Sequence, residues 1–136
     1  IESSLLPDSL LQEGKIVVFD AGTLLHSDSL LIAYCVPFAA QFFVFVEHPF
    51  FIEKALRERT GMGATGESYI VGQDTLMRTK SRFFPEKKPR TIQVKTLGVK
   101  EVLAGREGRS VIRDYRDVRV LSAYRMLNIE GIMVCG

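Results

Sequence analysis

Seventeen uncharged residues, Leu30 to Val46 (LLIAYCVPFAAQFFVFV), restrict the folding options of this 136-residue chain more than any other feature. A membrane-spanning helix needs roughly 18–20 apolar residues in an unbroken helix. This run falls short of that, and Pro37 sits in its middle, where it would remove a helix hydrogen bond. Phe, Val, Tyr and Ile crowd both sides of Pro37, a composition that suits strands. The run therefore reads as two buried strands joined near Phe38-Ala39-Ala40.

Strands of this kind need partners, and the flanking sequence supplies them. Lys15 to Phe19 reads as a strand, Asp20-Ala21-Gly22 as a turn, and the residues after it as a short returning strand. His48-Pro49 introduces a helix over about 50–59, with Phe51, Ile52, Ala55 and Leu56 on one face. Thr60-Gly61 stops it. Beyond the glycines, ESYIVG (67–72) and LMRTKSRF (76–83) read as strands around a turn at Gln73-Asp74-Thr75. FPEKKPRT (84–91) is a loop by composition. VKEVLAG makes a short helix ending at Gly105; RSVIRDY and VRVLSAYRML are strands joined at Arg116-Asp117, and GIMVCG starts a last strand. The order strand, strand, helix, strand, strand, strand predicts an α+β fold, a five-stranded antiparallel sheet with helices on one side.

Hydrophobic residues make up 46% and charged residues 25%, which points to a core-forming protein. Net charge is only +2, but residues 1–60 carry four basic and eight acidic side chains against fourteen and eight in residues 61–136. A basic second half favours anionic ligands or partners. Cys35 and Cys135 lie in apolar runs and read as buried free thiols, with a single disulfide as the alternative in an oxidising compartment. The chain opens on Ile1 without a signal peptide, which reads as a segment of something longer.

Several sharper patterns dissolve on inspection. Gly61, Gly63 and Gly66 spell G-x-G-x-x-G, but a dinucleotide loop needs a strand before it and a helix after, and here the order is reversed. VVFDAGT resembles the nucleophile strand of haloacid-dehalogenase-type phosphatases, yet it lacks the second carboxylate that would act as acid and base after Asp20. His26 and His48 have no ligand neighbours at metal-binding spacing, so neither a metal nor any other cofactor is expected. Arg78, Lys80, Arg82, Lys87, Lys88, Arg90 and Lys95 interleave with Phe83 and Phe84, as in single-strand nucleic-acid binders, but a solvated loop and strand edge explains them more simply.

Taken together, ERTGMGATGESYIVGQDTLMRTKSRF, VKEVLAGREG and IRDYRDVRVLSAYRMLNIEGIMV resemble the Cache domain, the PAS-like extracytoplasmic sensor module of chemoreceptors, histidine kinases and cyclases. The resemblance covers residues 57–136. It implies a PAS-like module there, preceded over residues 1–56 by a reduced, partial membrane-distal module. Departures from the pattern are Thr75 after Asp74, Asp117 in the hairpin turn, Arg119 in place of proline, and Met126 and Met133 in the last strands. The family's paired-aromatic amino-acid recognition motif is not recognisable.

The resemblance implies a non-catalytic sensor, with a small and possibly anionic molecule bound on the concave face of the sheet, or a conformational signal relayed. Arginine clamps and tyrosine walls suit such a ligand. The candidates are Tyr69, Arg78, Arg82, Tyr115, Arg116, Tyr124 and Arg125. It further implies an extracytoplasmic location, a homodimer formed through helices, and membrane attachment through flanking segments only. A polyanion or nucleic-acid binder and a phosphatase-like remnant are the competing classes.

Overall fold

The computed structural model describes residues 15–39, 41–127, 129 and, as backbone, 132–135. Residues 1–14 of the expected membrane-distal segment, Ala40, and the side chains of Met133 and Cys135 therefore lie outside the described residues. Within them the chain forms two antiparallel sheets and two helices.

The apolar run folds as the proline and the β-branched residues dictate. β1 (Val17–Asp20), β2 (Ile32–Phe38) and β3 (Gln41–Glu47) form one sheet in that order. Phe38 pairs with Gln41 and Ile32 with Glu47, a tight hairpin in which Ala39 takes a left-handed φ of 53°. β2 is covered as expected, and Ala33 and Cys35 pack with Val17 and Phe19 on one of its faces. The expectation of two buried strands fails for β3, all seven residues of which are exposed. Apolar composition alone does not say which strand has its faces covered, and among the described residues β3 joins no buried cluster. Burial pushes the thiol of Cys35 up, and it is free.

The returning strand expected after Gly22 is a turn instead. Leu25 N–H donates to Ala21 O at 2.9 Å and Ser27 N–H to Gly22 O at 2.8 Å, with His26 at φ 52°. Helix α1 (Phe50–Arg57) stops two residues before its expected end, because Glu58 turns extended and its carboxylate takes the N–H groups of Arg59 and Thr60.

The second sheet contains β4 (Tyr69–Gly72), β5 (Gly108–Arg113), β6 (Arg119–Met126) and β7 (Ile132–Cys135), in the order β4-β7-β6-β5. Helix α2 (Leu97–Leu103) starts at Thr96, whose hydroxyl accepts from Val99 N–H, and gives way to Gly105 at φ 78°. Asp117 supplies the left-handed residue of the β5–β6 turn at φ 64°. Val99 and Val102 of α2 pack with Tyr69, Val71, Met77 and Tyr124 into the main core.

The expected strand over 76–83 is reduced to bridges at Leu76 and Met77. Arg78 N–H still reaches Ile70 O at 2.7 Å, but Ile70 N–H is taken by the hydroxyl of Thr79, and there the ladder ends. What diverts the chain is charge. Asp20, at the end of β1, holds Arg78 Nε at 2.6 Å and Arg90 Nη2 at 2.7 Å; the Asp20 and Arg78 side chains are each only 5% exposed. Arg78 also binds Asp74 at 2.9 Å. Burial alone would push the Asp74 carboxyl up, but hydrogen bonds from Arg78 and Leu76 and the Arg78 charge hold it below its ordinary value. Room for the guanidiniums comes from glycine: a Cβ at Gly22 would strike Arg90, and one at Gly72 would strike Arg78. A third contact is apolar, with Leu30 and Ile32 packed on Ile70 and flanked by Ile52 and Leu56 of α1.

Removing one member of a buried ion cluster strands the rest without compensation, at a cost of about 3–5 kcal/mol. Asp20→Ala is expected to lose that much in urea unfolding, whereas Asp28→Ala, whose Lys88 pair is solvent-exposed, loses under about 1 kcal/mol.

Candidate functional site

The glycine-rich stretch between α1 and β4 closes over the second sheet. Gly61 and Gly63 adopt φ of 81° and 63°, a region that other residues enter at a cost. The loop is then pinned by Glu67. The Tyr115 hydroxyl donates to Glu67 Oε2 and Arg82 N–H to Glu67 Oε1, while Ser81 Oγ lies 2.8 Å from the Tyr115 oxygen. Arg82 Nη1 donates to Gly66 O at 2.7 Å, and Ser81 Oγ accepts from the N–H groups of Phe83 and Phe84. Loop, β5–β6 turn and the irregular 81–84 segment are thereby clasped together. Burial, and next the hydrogen bond to Glu67, raise the Tyr115 phenol well above its ordinary value.

Beside the clasp lies a cavity of about 470 Å³ on the inner face of the sheet, bounded by Met62, Glu67, Tyr69, Arg116, Arg119 and Ser122 among others. Ser122, 3% exposed, lies on the wall of this cavity. Arg116 is held by Asp114, with Nε at 2.7 Å from Oδ2, and its guanidinium lies 3.6 Å over the Phe83 ring. Arg119 has no carboxylate partner among the described residues.

A second cleft, of about 660 Å³, runs between α1 and residues 79–89 and shares Met62, Gly66 and Glu67 with the first. Glu53 within it lies 3.5 Å from both His48 and Arg57. Arg59 and Lys80, also on its wall, have no side-chain partner among the described residues.

Of the residues expected from sequence, Tyr69 and Arg116 line the sheet-face cavity and Tyr115 stands at its edge, its ring 5.4 Å from that of Tyr69. Arg82 lines the cleft. Three others lie elsewhere. Arg78 is engaged by Asp20, Asp74 and the Leu76 carbonyl. Tyr124 is core, packed against Gly98 and Gly108. Arg125 is exposed, 3.9 Å from Glu107. Glu67, Arg119 and Ser122 were not anticipated. The available signal was alternation, since Ser122 is the one polar residue between Val120 and Tyr124 on the inward side of β6.

The geometry bears on the competing classes. Both Asp20 oxygens accept from guanidiniums, so that carboxylate is not a free nucleophile. Within the basic stretch, Arg78 and Arg90 bind Asp20, Lys88 binds Asp28, and Lys87 sits 4.9 Å over Phe84. Among the described residues no cluster of His, Cys, Asp or Glu is arranged to hold a metal, and no helix is long and apolar enough to cross a membrane. Compared with protein-family models, curated proteins and solved structures, the chain matches none.

Tyr115→Phe leaves Glu67 and Ser81 without the phenol and is expected to cost about 1–3 kcal/mol in chemical unfolding. Because the folded phenol is raised, the stability it contributes is whole below the ordinary phenol range near pH 10 and is lost as pH rises through the folded value. The hydrogen bond to Glu47 also raises the Tyr34 phenol, so ultraviolet titration should show two tyrosines ionising late, and Tyr115→Phe should remove the later component.

Proposed function

We propose that this chain is a non-catalytic, PAS-like sensor module of the Cache type, part of an extracytoplasmic receptor, and that it binds a small anionic molecule in the cavity on the inner face of the second sheet. The observation that carries the reading is the cavity under the glycine loop, whose wall brings Ser122, Arg119 and Tyr69 together. The Ser122 hydroxyl can donate to or accept from a ligand at that point. Arg119 supplies a cation without an internal carboxylate, and Tyr69 supplies an aromatic wall. Sheet order supports the PAS-like part of the reading. The first strand, β4, lies beside the last, β7, and the Met77 bridge stands in for a fifth strand on the far side of β4.

Signal output follows from the shared wall. Met62, Gly66 and Glu67 border both the cavity and the cleft, and Glu53, Leu56 and Arg57 of α1 line the cleft. A ligand that favours one position of the Glu67 loop thereby favours one packing of α1.

The test is a thermal-shift screen against small carboxylates, phosphate, amino acids and amines. A ligand at a hundred times its Kd adds about 2.7 kcal/mol, several degrees in Tm for a domain of this size. The expected result is a shift with an anion that Ser122→Ala and Arg119→Ala each abolish while the unliganded Tm stays within a few degrees. A flat screen, or a shift that survives both substitutions, overturns the reading.

A further inference from the structure

Strand β3 is the largest anomaly of the surface. Its sequence, QFFVFVE, is as apolar as a core strand, yet every residue is exposed. Among the described residues only β2 pairs with it, and none of them pairs with its outer backbone edge. Edge strands normally carry lysine, proline or a bulge that blocks further pairing. β3 has none of these; its one charge is Glu47, which accepts a hydrogen bond from Tyr34 at 2.7 Å.

We propose that β3 pairs antiparallel with β3 of a second copy about a two-fold axis at Val44, joining two three-stranded sheets into one of six strands. In an antiparallel pair, opposed residues have position numbers of constant sum, and centring on Val44 is the register that engages all seven residues. Phe42 then faces Val46 of the other copy and Phe43 faces its Phe45, giving aromatic and β-branched cross-strand pairs. Glu47 faces Gln41, so the terminal charges do not oppose each other. An isologous contact of this kind closes after two copies.

The exposed apolar side chains run along the same edge. Phe38, Phe42, Phe43, Phe45, Phe50 and Phe51 are 49–84% exposed. At typical aromatic areas they present roughly 700 Å². Edge pairing covers the flanks of these side chains and leaves the two faces of the joined sheet open, so it buries a part of this area, at the low end of the interface sizes that hold proteins together. Antiparallel pairing also directs the hairpin end of one copy, with Phe38, toward the Phe50–Phe51 end of the other, so apolar ends meet.

Sedimentation of the whole chain across the micromolar range, with disulfide trapping, tests the proposal and its register. The wild type is expected to be dimeric, and Val44→Cys to form a covalent dimer on oxidation, since opposed Cα atoms lie within disulfide reach. Phe42→Cys alone should not crosslink, whereas Phe42→Cys with Val46→Cys should. Val44→Lys places like charges face to face and is expected to weaken the dimer at least about tenfold. The mild Val44→Cys variant keeps the test decisive where Val44→Lys fails to fold. A monomer at every concentration with no Val44→Cys crosslink overturns the pairing. So does equal crosslinking by Phe42→Cys alone, which would mean unspecific association. A monomer that partitions onto phosphatidylcholine vesicles also overturns it and assigns the face to a lipid surface.

Discussion

The buried carboxylate of Asp20 organises this protein. It stands at the last position of β1 and collects two guanidiniums from the far side of the chain, Arg78 fifty-eight residues away and Arg90 seventy. Burying three charges costs several kcal/mol per ion, which only short, well-directed hydrogen bonds offset. Here Asp20 receives Arg78 Nε on one oxygen and Arg90 on both, and its Oδ1 also holds Gly22 N–H at 3.0 Å. The arrangement is not free of strain, because Arg90 Nε is buried without a partner. Its consequence is that residues 78–92 cannot run on as a strand; they fold back so that both arginines reach one point. The same detour carries Ser81 and Arg82 to the clasp on Glu67.

What was legible in the sequence was whatever depends on neighbours in the chain. Pro37 and the aromatic runs beside it give a hairpin with its turn where expected, and Thr96 with Gly105 brackets α2. Asp117 accepts the left-handed turn that glycine would otherwise fill. What was hidden depends on distant partners. LMRTKSRF alternates like a strand, and nothing local in it reveals that Arg78 is drawn to a carboxylate in another sheet or that Thr79 spends its hydroxyl on Ile70 N–H. Likewise the apolarity of β3 matched that of β2, but burial belongs to strands whose faces are covered by other side chains, as those of β1 and β2 are. The site divided along the same line. Tyr69, Tyr115 and Arg116 sit at strand ends and turns that local pattern locates, whereas Ser122 acquires a place in the site only from the cavity that the glycine loop makes beside it.

The uneven charge of the chain has an internal explanation. An acidic first half and a basic second half suggested an anionic partner, yet the two halves satisfy much of that imbalance between themselves. Asp20 takes Arg78 and Arg90, and Asp28 takes Lys88. The buried part of this exchange holds the first sheet against the second together with the Leu30–Ile32–Ile70 contact. What remains for a ligand is the set of cations the exchange does not reach. Arg59 and Lys80 on the cleft, and Arg119 on the sheet-face cavity, have no carboxylate among the described residues. The positive potential available to a small anion therefore comes from these positions and not from Arg78 and Arg90, which were recruited to build the fold.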